Sequence, residues 1–319
     1  MNNETLSRRT LCAGILTVAA LFPFDAAAFA AKKKKQDGER LTDKARIDWN
    51  KGVITATGRG AIDNRKPNQA KAYLSAAEYA KYDAIANLLM AIEFVKIDAR
   101  TVGRDFEADT TIKAEITGLV RGAQVVGERK IPVGANSIVE VTVSTPLYGD
   151  QSIASVFIPE IINRREESDL DEAPTERILP EIKVEPRTRP VPQTEIRKPR
   201  GDKRITGVII DARGMDIDRS MSPKIRHDDG SEVWGTVNAD PDYVIEHGIV
   251  VYATSMAQAQ NDSRAGNNPL ILRASGRASG RFHTDVVISD SDADRLMELN
   301  EKDGFLDKYR VIFLVDPGK

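Results

Sequence analysis

Among the residues able to do chemistry, Asp211, Arg213 and Gly214 come first, because they leave the apolar run Val208-Ile209-Ile210 at its carboxyl end. Open α/β sheets commonly bind ligands at that end. Asp316 leaves the run Val311-Ile312-Phe313-Leu314-Val315 in the same way. If the two runs are parallel neighbours, two carboxylates and a guanidinium share one rim, where an anion or small ligand could sit. The competing reading is a set of solvated strand ends, with Asp211 and Arg213 capping a turn.

Other groupings carry less. Asp290-Ser291-Asp292-Ala293-Asp294 with Glu301 imitates a calcium loop, but Arg295 occupies the sixth position, where a glycine makes the sharp turn. Capping of a helix by Ser289, Asp290 or Ser291 explains the same letters, so no metal site is expected. Arg273-Ala274-Ser275-Gly276 is repeated as Arg277-Ala278-Ser279-Gly280, which reads as a flexible basic hairpin loop or as a grip on an anionic polymer. Gly58-Arg59-Gly60 is not a nucleotide loop, since Asp63 stands where the third glycine belongs; a strand end or bulge is expected there. His227, His247 and His283 have no second ligand at metal spacing. Neither G-x-S-x-G nor H-E-x-x-H occurs, so no catalytic residue and no cofactor is assigned.

The totals fit that restraint. The chain has 319 residues and a net charge of −2 at pH 7, which argues against nucleic-acid binding through bulk charge. Its one cysteine, Cys12, precedes the apolar run Ala13–22 and falls within a segment that reads as removable. Arg8 and Arg9, that apolar run, and Ala28-Phe29-Ala30 together predict a cleaved signal peptide over residues 1–30, of the Sec or twin-arginine kind. Cys12 is on the wrong side of the run for lipid attachment. Cleavage would leave a basic arm over residues 31–40, whose Lys32, Lys33, Lys34 and Lys35 form a solvated tail or touch anionic lipid or cell-wall polymer.

The elements that must position the rim come from the rest of the chain. Residues 158–204 hold nearly half of the prolines, much charge and no aromatic residue, so they read as a semi-rigid linker. At roughly 3 Å per residue, its reach is on the order of 100 Å, enough to hold two modules apart. Ile182, Val184 and Val191 within it could add as a strand to a partner.

The first module, 41–157, opens with a hairpin of short alternating runs around Asn50-Lys51-Gly52. A helix over 68–91 follows, with Leu74, Ala77, Ala84, Ile85, Leu88 and Ile92 expected on its buried face. Asp109 should cap a second helix carrying Ile112, Ile116, Leu119 and Val120, before strands over 123–131 and 137–145. The second module, 205–316, mixes short strands with helices near 242–247, 256–260 and 290–300, and the two apolar runs should be central. The fold class is therefore α/β in the broad α+β sense: a small antiparallel sheet with one long packed helix, a Pro-rich linker, and a second mixed α/β domain.

The run from Val53 through Gly58-Arg59-Gly60-Ala61, the helix ending Ala84-Ile85-Ala86-Asn87-Leu88-Leu89, Val125-Val126-Gly127-Glu128 and the strand from Val139 resemble the small bacterial surface-lipoprotein family often written Lpp-twenty. They resemble equally the related N-terminal domain of a flagellar T-ring assembly protein. The resemblance implies an envelope protein with a non-enzymatic assembly or interaction role, and it carries no binding residue.

Together these readings lead to an exported, periplasmic or cell-envelope binding or assembly protein, with envelope proteins or cell-wall polymer as partners. The alternative is a periplasmic hydrolase acting on envelope polymers.

Overall fold

The computed structural model describes residues 38–170, 184–186, 204–235 and 239–318. The signal peptide, the four lysines of the arm, and Ile182 and Val191 lie outside the described residues. Gly38 onward forms one compact unit.

The last residues of the expected arm are already structured, with Glu39–Arg40 forming β1. Ala45–Asp48 (β2) and Val53–Ala61 (β3) make the expected hairpin. Asn68 then caps α1, Gln69–Ile92, by accepting the Lys71 N–H at 3.0 Å. Asp109 caps α2, Thr110–Arg121, by accepting from the N–H groups of Thr111 and Ile112. Gln124–Val133 (β4) and Asn136–Pro146 (β5) complete a five-stranded antiparallel sheet in the order β1-β2-β3-β5-β4.

The buried face of α1 differs from expectation. Ala72, Ala76, Ala80, Ala84, Leu88, Ala91 and Ile92 face inward, whereas Leu74 is 67 % exposed. The reason lies in β3, whose carboxyl end carries Gly58 and Gly60 as regular, paired residues with no bulge. A Cβ on Gly60 would lie 1.9 Å from the Ala76 carbonyl oxygen, so the glycines admit the helix backbone and select alanines opposite. The bulge falls instead between Val125 and Gly127. On the sheet's other face, Arg59, Glu140 and Arg129 are cross-strand partners on three adjacent strands, with Nε of each arginine donating to Glu140 at 2.9 and 2.8 Å.

The linker begins later than the prolines suggest. Ile153–Leu170 is a helix, α3, with Pro159 inside it. Ile153, Ala154, Val156, Phe157, Ile158 and Ile161 are buried, and this apolar face holds the first turns together despite the missing proline donor. Val184–Pro186 (β6) pairs antiparallel with β12 (below), so this part of the linker adds as a strand to its own chain.

The second module has two sheets where one was expected. In chain order its elements are Val208–Asp211 (β7), Ile225–Arg226 (β8), Glu232–Trp234 (β9), Pro241–His247 (α4), Val251–Ala253 (β10) and Met256–Asn261 (α5). Leu270–Arg273 (β11), Gly276–Ala278 (β12), Val286–Val287 (β13), Asp290–Asp303 (α6) and Val311–Leu314 (β14) follow. One sheet is parallel, β10-β14-β7-β11, with the two apolar runs buried at its centre; the other is mixed, β6-β12-β13-β8-β9. The Arg-Ala-Ser-Gly repeat is no flexible loop: its first copy ends β11 and its second overlaps β12. Ser289 caps α6 by accepting the Asp292 N–H at 3.2 Å, which accounts for the calcium-like letters.

The modules are not held apart. A single buried apolar cluster runs through both, from Ala45 to Val315. Gly149 donates to the Ile245 carbonyl at 2.8 Å, α3 packs against α4, and Trp49 meets Tyr252 edge-on at 5.9 Å. Backbone bonds from Met221 to Lys96, Ser222 to Ile97 and Phe282 to Ala99 tie the loop after α1 to the second module.

Candidate functional site

Parallel pairing of β7 with β14 sets Asp211 beside Leu314, so the strand ends meet at one rim as their positions in the sequence required. Asp211 is buried, and Arg213 grips it with both prongs: Nε donates to Oδ1 at 2.8 Å and Nη2 to Oδ2 at 2.7 Å. Burial pushes the Asp211 carboxyl upward, but the Arg213 contacts outweigh it and hold the group below the usual carboxylate range. The pairing raises the Arg213 pKa in turn. Gly214, with φ of 78°, turns in the left-handed region and donates its N–H to Asp316 Oδ2 at 2.9 Å.

All four candidate residues therefore converge, and they converge on one another. The rim also continues into the contact between modules. Arg219 Nη2 donates to the Asp316 carbonyl at 2.8 Å, while its Nη1 lies 3.7 Å from Glu39 of β1. Lys96 joins Glu39 to Asp218 at 3.5 and 2.9 Å. Chemically, this network fixes two strand ends and positions one module on the other. A ligand at the rim would have to displace a bidentate pair.

Two concavities were not foreseen. One, of about 470 Å³, is lined by Asp240, Tyr243, Arg264, Asp307, Lys308 and Tyr309. Tyr243 stacks on Tyr309 at 4.5 Å. The Arg264 guanidinium donates to the carbonyls of His247, Gly248, Ile249 and Tyr309, which makes it a clasp of the fold. The other, of about 740 Å³, lies in the first module between the end of α2, the start of α3 and strands β4 and β5, with Glu115, Gly118, Thr145 and Asp150 on its walls.

His227 Nδ1 lies 3.1 Å from Asp290, and His247 stands edge-on to Tyr243 at 4.7 Å. Among the described residues no His, Cys, Asp and Glu group has the geometry of a metal site.

The body is thus two docked α/β modules with a self-paired rim and an open groove. Over residues 207–317 the chain is similar to a family model described as the second domain of Treponema pallidum Tp0624. No curated protein matches the chain.

Proposed function

We propose that this chain is an exported cell-envelope protein that binds or assembles with other envelope components and catalyses no reaction. The observation that carries the reading is β4. This ten-residue strand is the outer edge of its sheet, is exposed along nearly its whole length, and carries Val125, Val126 and Val133 in the open. Long open edges with exposed apolar side chains favour association with other chains. The signal-like residues 1–30 and the resemblance of the first module to surface lipoproteins and to a flagellar assembly domain support the placement. The rim from Asp211 to Asp316 acts in this reading as a brace between the modules.

The test is an affinity pull-down from crosslinked envelope fractions with the tagged chain starting at Ala31. Repeated recovery of a defined envelope protein supports the reading. Recovery of none, together with hydrolysis of cell-wall fragments by the purified chain, would replace it with the hydrolase. A flagellar role is the narrower version, and wild-type motility after deletion removes it.

A further inference from the structure

An open strand edge invites pairing with another strand, and among the described residues only one such edge is long. β4 runs for ten residues, whereas the other edge strands, β1, β6, β9, β10 and β11, have two to four. β1 is also engaged at its Glu39 by Lys96 and by Arg219 of the second module. The register of β4 shows which of its backbone groups are open. Ser137 accepts the Ile62 N–H at 3.0 Å, so its backbone faces β3, and its partner Pro132 faces away from the sheet. Alternation turns Lys130 and Glu128 outward as well, up to the bulge between Val125 and Gly127. Pro132 has no N–H to give and the bulge interrupts the other end, so the stretch free to pair is 127–131. Within it the Tyr73 hydroxyl holds Glu128 at 2.7 Å, and the exposed Lys130 makes no ion pair among the described residues.

We propose that the occupant of this edge is β4 of a second copy of the chain, paired antiparallel about Arg129. Opposed residues in a continuous sheet share a face, which leaves few registers. Centring on Glu128 sets carboxylate against carboxylate. Centring on Lys130 sets ammonium against ammonium and meets Pro132. Centring on Arg129 places each Glu128 opposite Lys130 of the second copy, so that both lysines gain a carboxylate and the two outward backbones exchange hydrogen bonds in both directions. Arg129 then meets its own twin, and Glu140 of each chain, bonded to Arg129 Nε at 2.8 Å, offsets that charge. Val125, Val126 and Val133, all exposed, flank the paired stretch. Because one patch serves both copies, the association closes as a twofold dimer. The inference rests on the reading of β4 as the association edge and names the component that it takes.

The experiment uses the chain from Ala31, which has no cysteine, in sedimentation equilibrium up to about 100 μM. A monomer–dimer equilibrium is expected. Glu128→Lys and Lys130→Glu should each weaken dimerisation by about tenfold or more, since each sets like charges directly opposite. Mixing the two variants should restore it, because one copy then presents lysine and the other glutamate at both positions, and co-purification of differently tagged chains reads the mixed dimer. Under mild oxidation Arg129→Cys should form a disulfide-linked dimer at least about tenfold faster than Met297→Cys, as directly opposed residues of a non-hydrogen-bonded pair lie within disulfide reach. A wild-type chain that stays monomeric, charge variants that dimerise undiminished, or a mixture no more associated than either variant alone overturns the proposal. Should a monomeric chain still recover an envelope protein in the pull-down, the proposal falls while the envelope reading stands.

Discussion

Arg281 of the second module donates through Nη1 to both carboxylate oxygens of Asp105 in the first, at 2.8 and 2.7 Å. Their separation of 176 positions makes this a contact that only docking of the two modules can create. The pair itself is worth little, because Arg281 is half exposed and surface pairs contribute about 0–1 kcal/mol. Arg281→Ala should therefore lower stability by about 1 kcal/mol or less in chemical denaturation. A much larger loss would mean that the pair, rather than the shared apolar core, holds the modules together.

The shared core makes a stronger prediction. With one buried cluster through both modules, calorimetric unfolding should show a single cooperative transition. Two separated transitions would restore the picture of independent modules on a tether.

At the rim, Arg213→Ala strands the buried Asp211 carboxylate without its main partner. We expect a loss of about 2–3 kcal/mol in urea denaturation at neutral pH, the range for a hydrogen-bonded charge. Because the folded pKa of Asp211 lies below its unfolded value, the stabilisation is present above that unfolded value and fades as pH falls through the folded one. The difference between wild type and variant should accordingly shrink below about pH 4. A constant difference down to strongly acidic pH would show that Arg213 acts by packing alone.

Glu140 provides a second pH test in the first module. Burial raises its pKa, while Arg129 and Arg59 lower it by more, so the net direction is downward. Glu140→Gln should cost about 1 kcal/mol at neutral pH, modest because both arginines are largely exposed, and nothing once Glu140 is protonated. Urea midpoints of the two proteins that stay apart in strong acid would contradict this.

The seam between helix and sheet should tolerate least. Gly60→Ala places a methyl carbon 1.9 Å from the Ala76 carbonyl, a backbone atom that cannot swing aside. Overpacking of this kind costs about 1–3 kcal/mol, and thermal unfolding at a clearly lower temperature is expected. An unchanged melting temperature would mean that α1 can lift from β3 freely.

These elements show how far the sequence could be read. Caps were legible at Asp109 and Ser289, which act locally and whose side chains reach only two or three residues ahead. So was the rim, because parallel pairing of two fully apolar runs is their usual fate. Leu74 misled because hydrophobicity alone ranks leucine above alanine for the inner face; only the distant glycines of β3 reverse that order. Pro159 misled because its helix is held by tertiary burial, which overrides local propensity. Docking of the modules was illegible, for the residues that meet across it, such as Trp49 with Tyr252 and Lys96 with Asp218, are far apart in the chain and carry no signal of one another.

The most direct test places a photo-crosslinking amino acid at Val133, on the open edge strand β4, and separately at Met297, an exposed position on α6, in living cells. A discrete adduct with an envelope protein is expected from Val133, and no such adduct from Met297. Equal adducts from both positions, or none from Val133 in an exported and folded chain, would contradict the reading of β4 as the association edge.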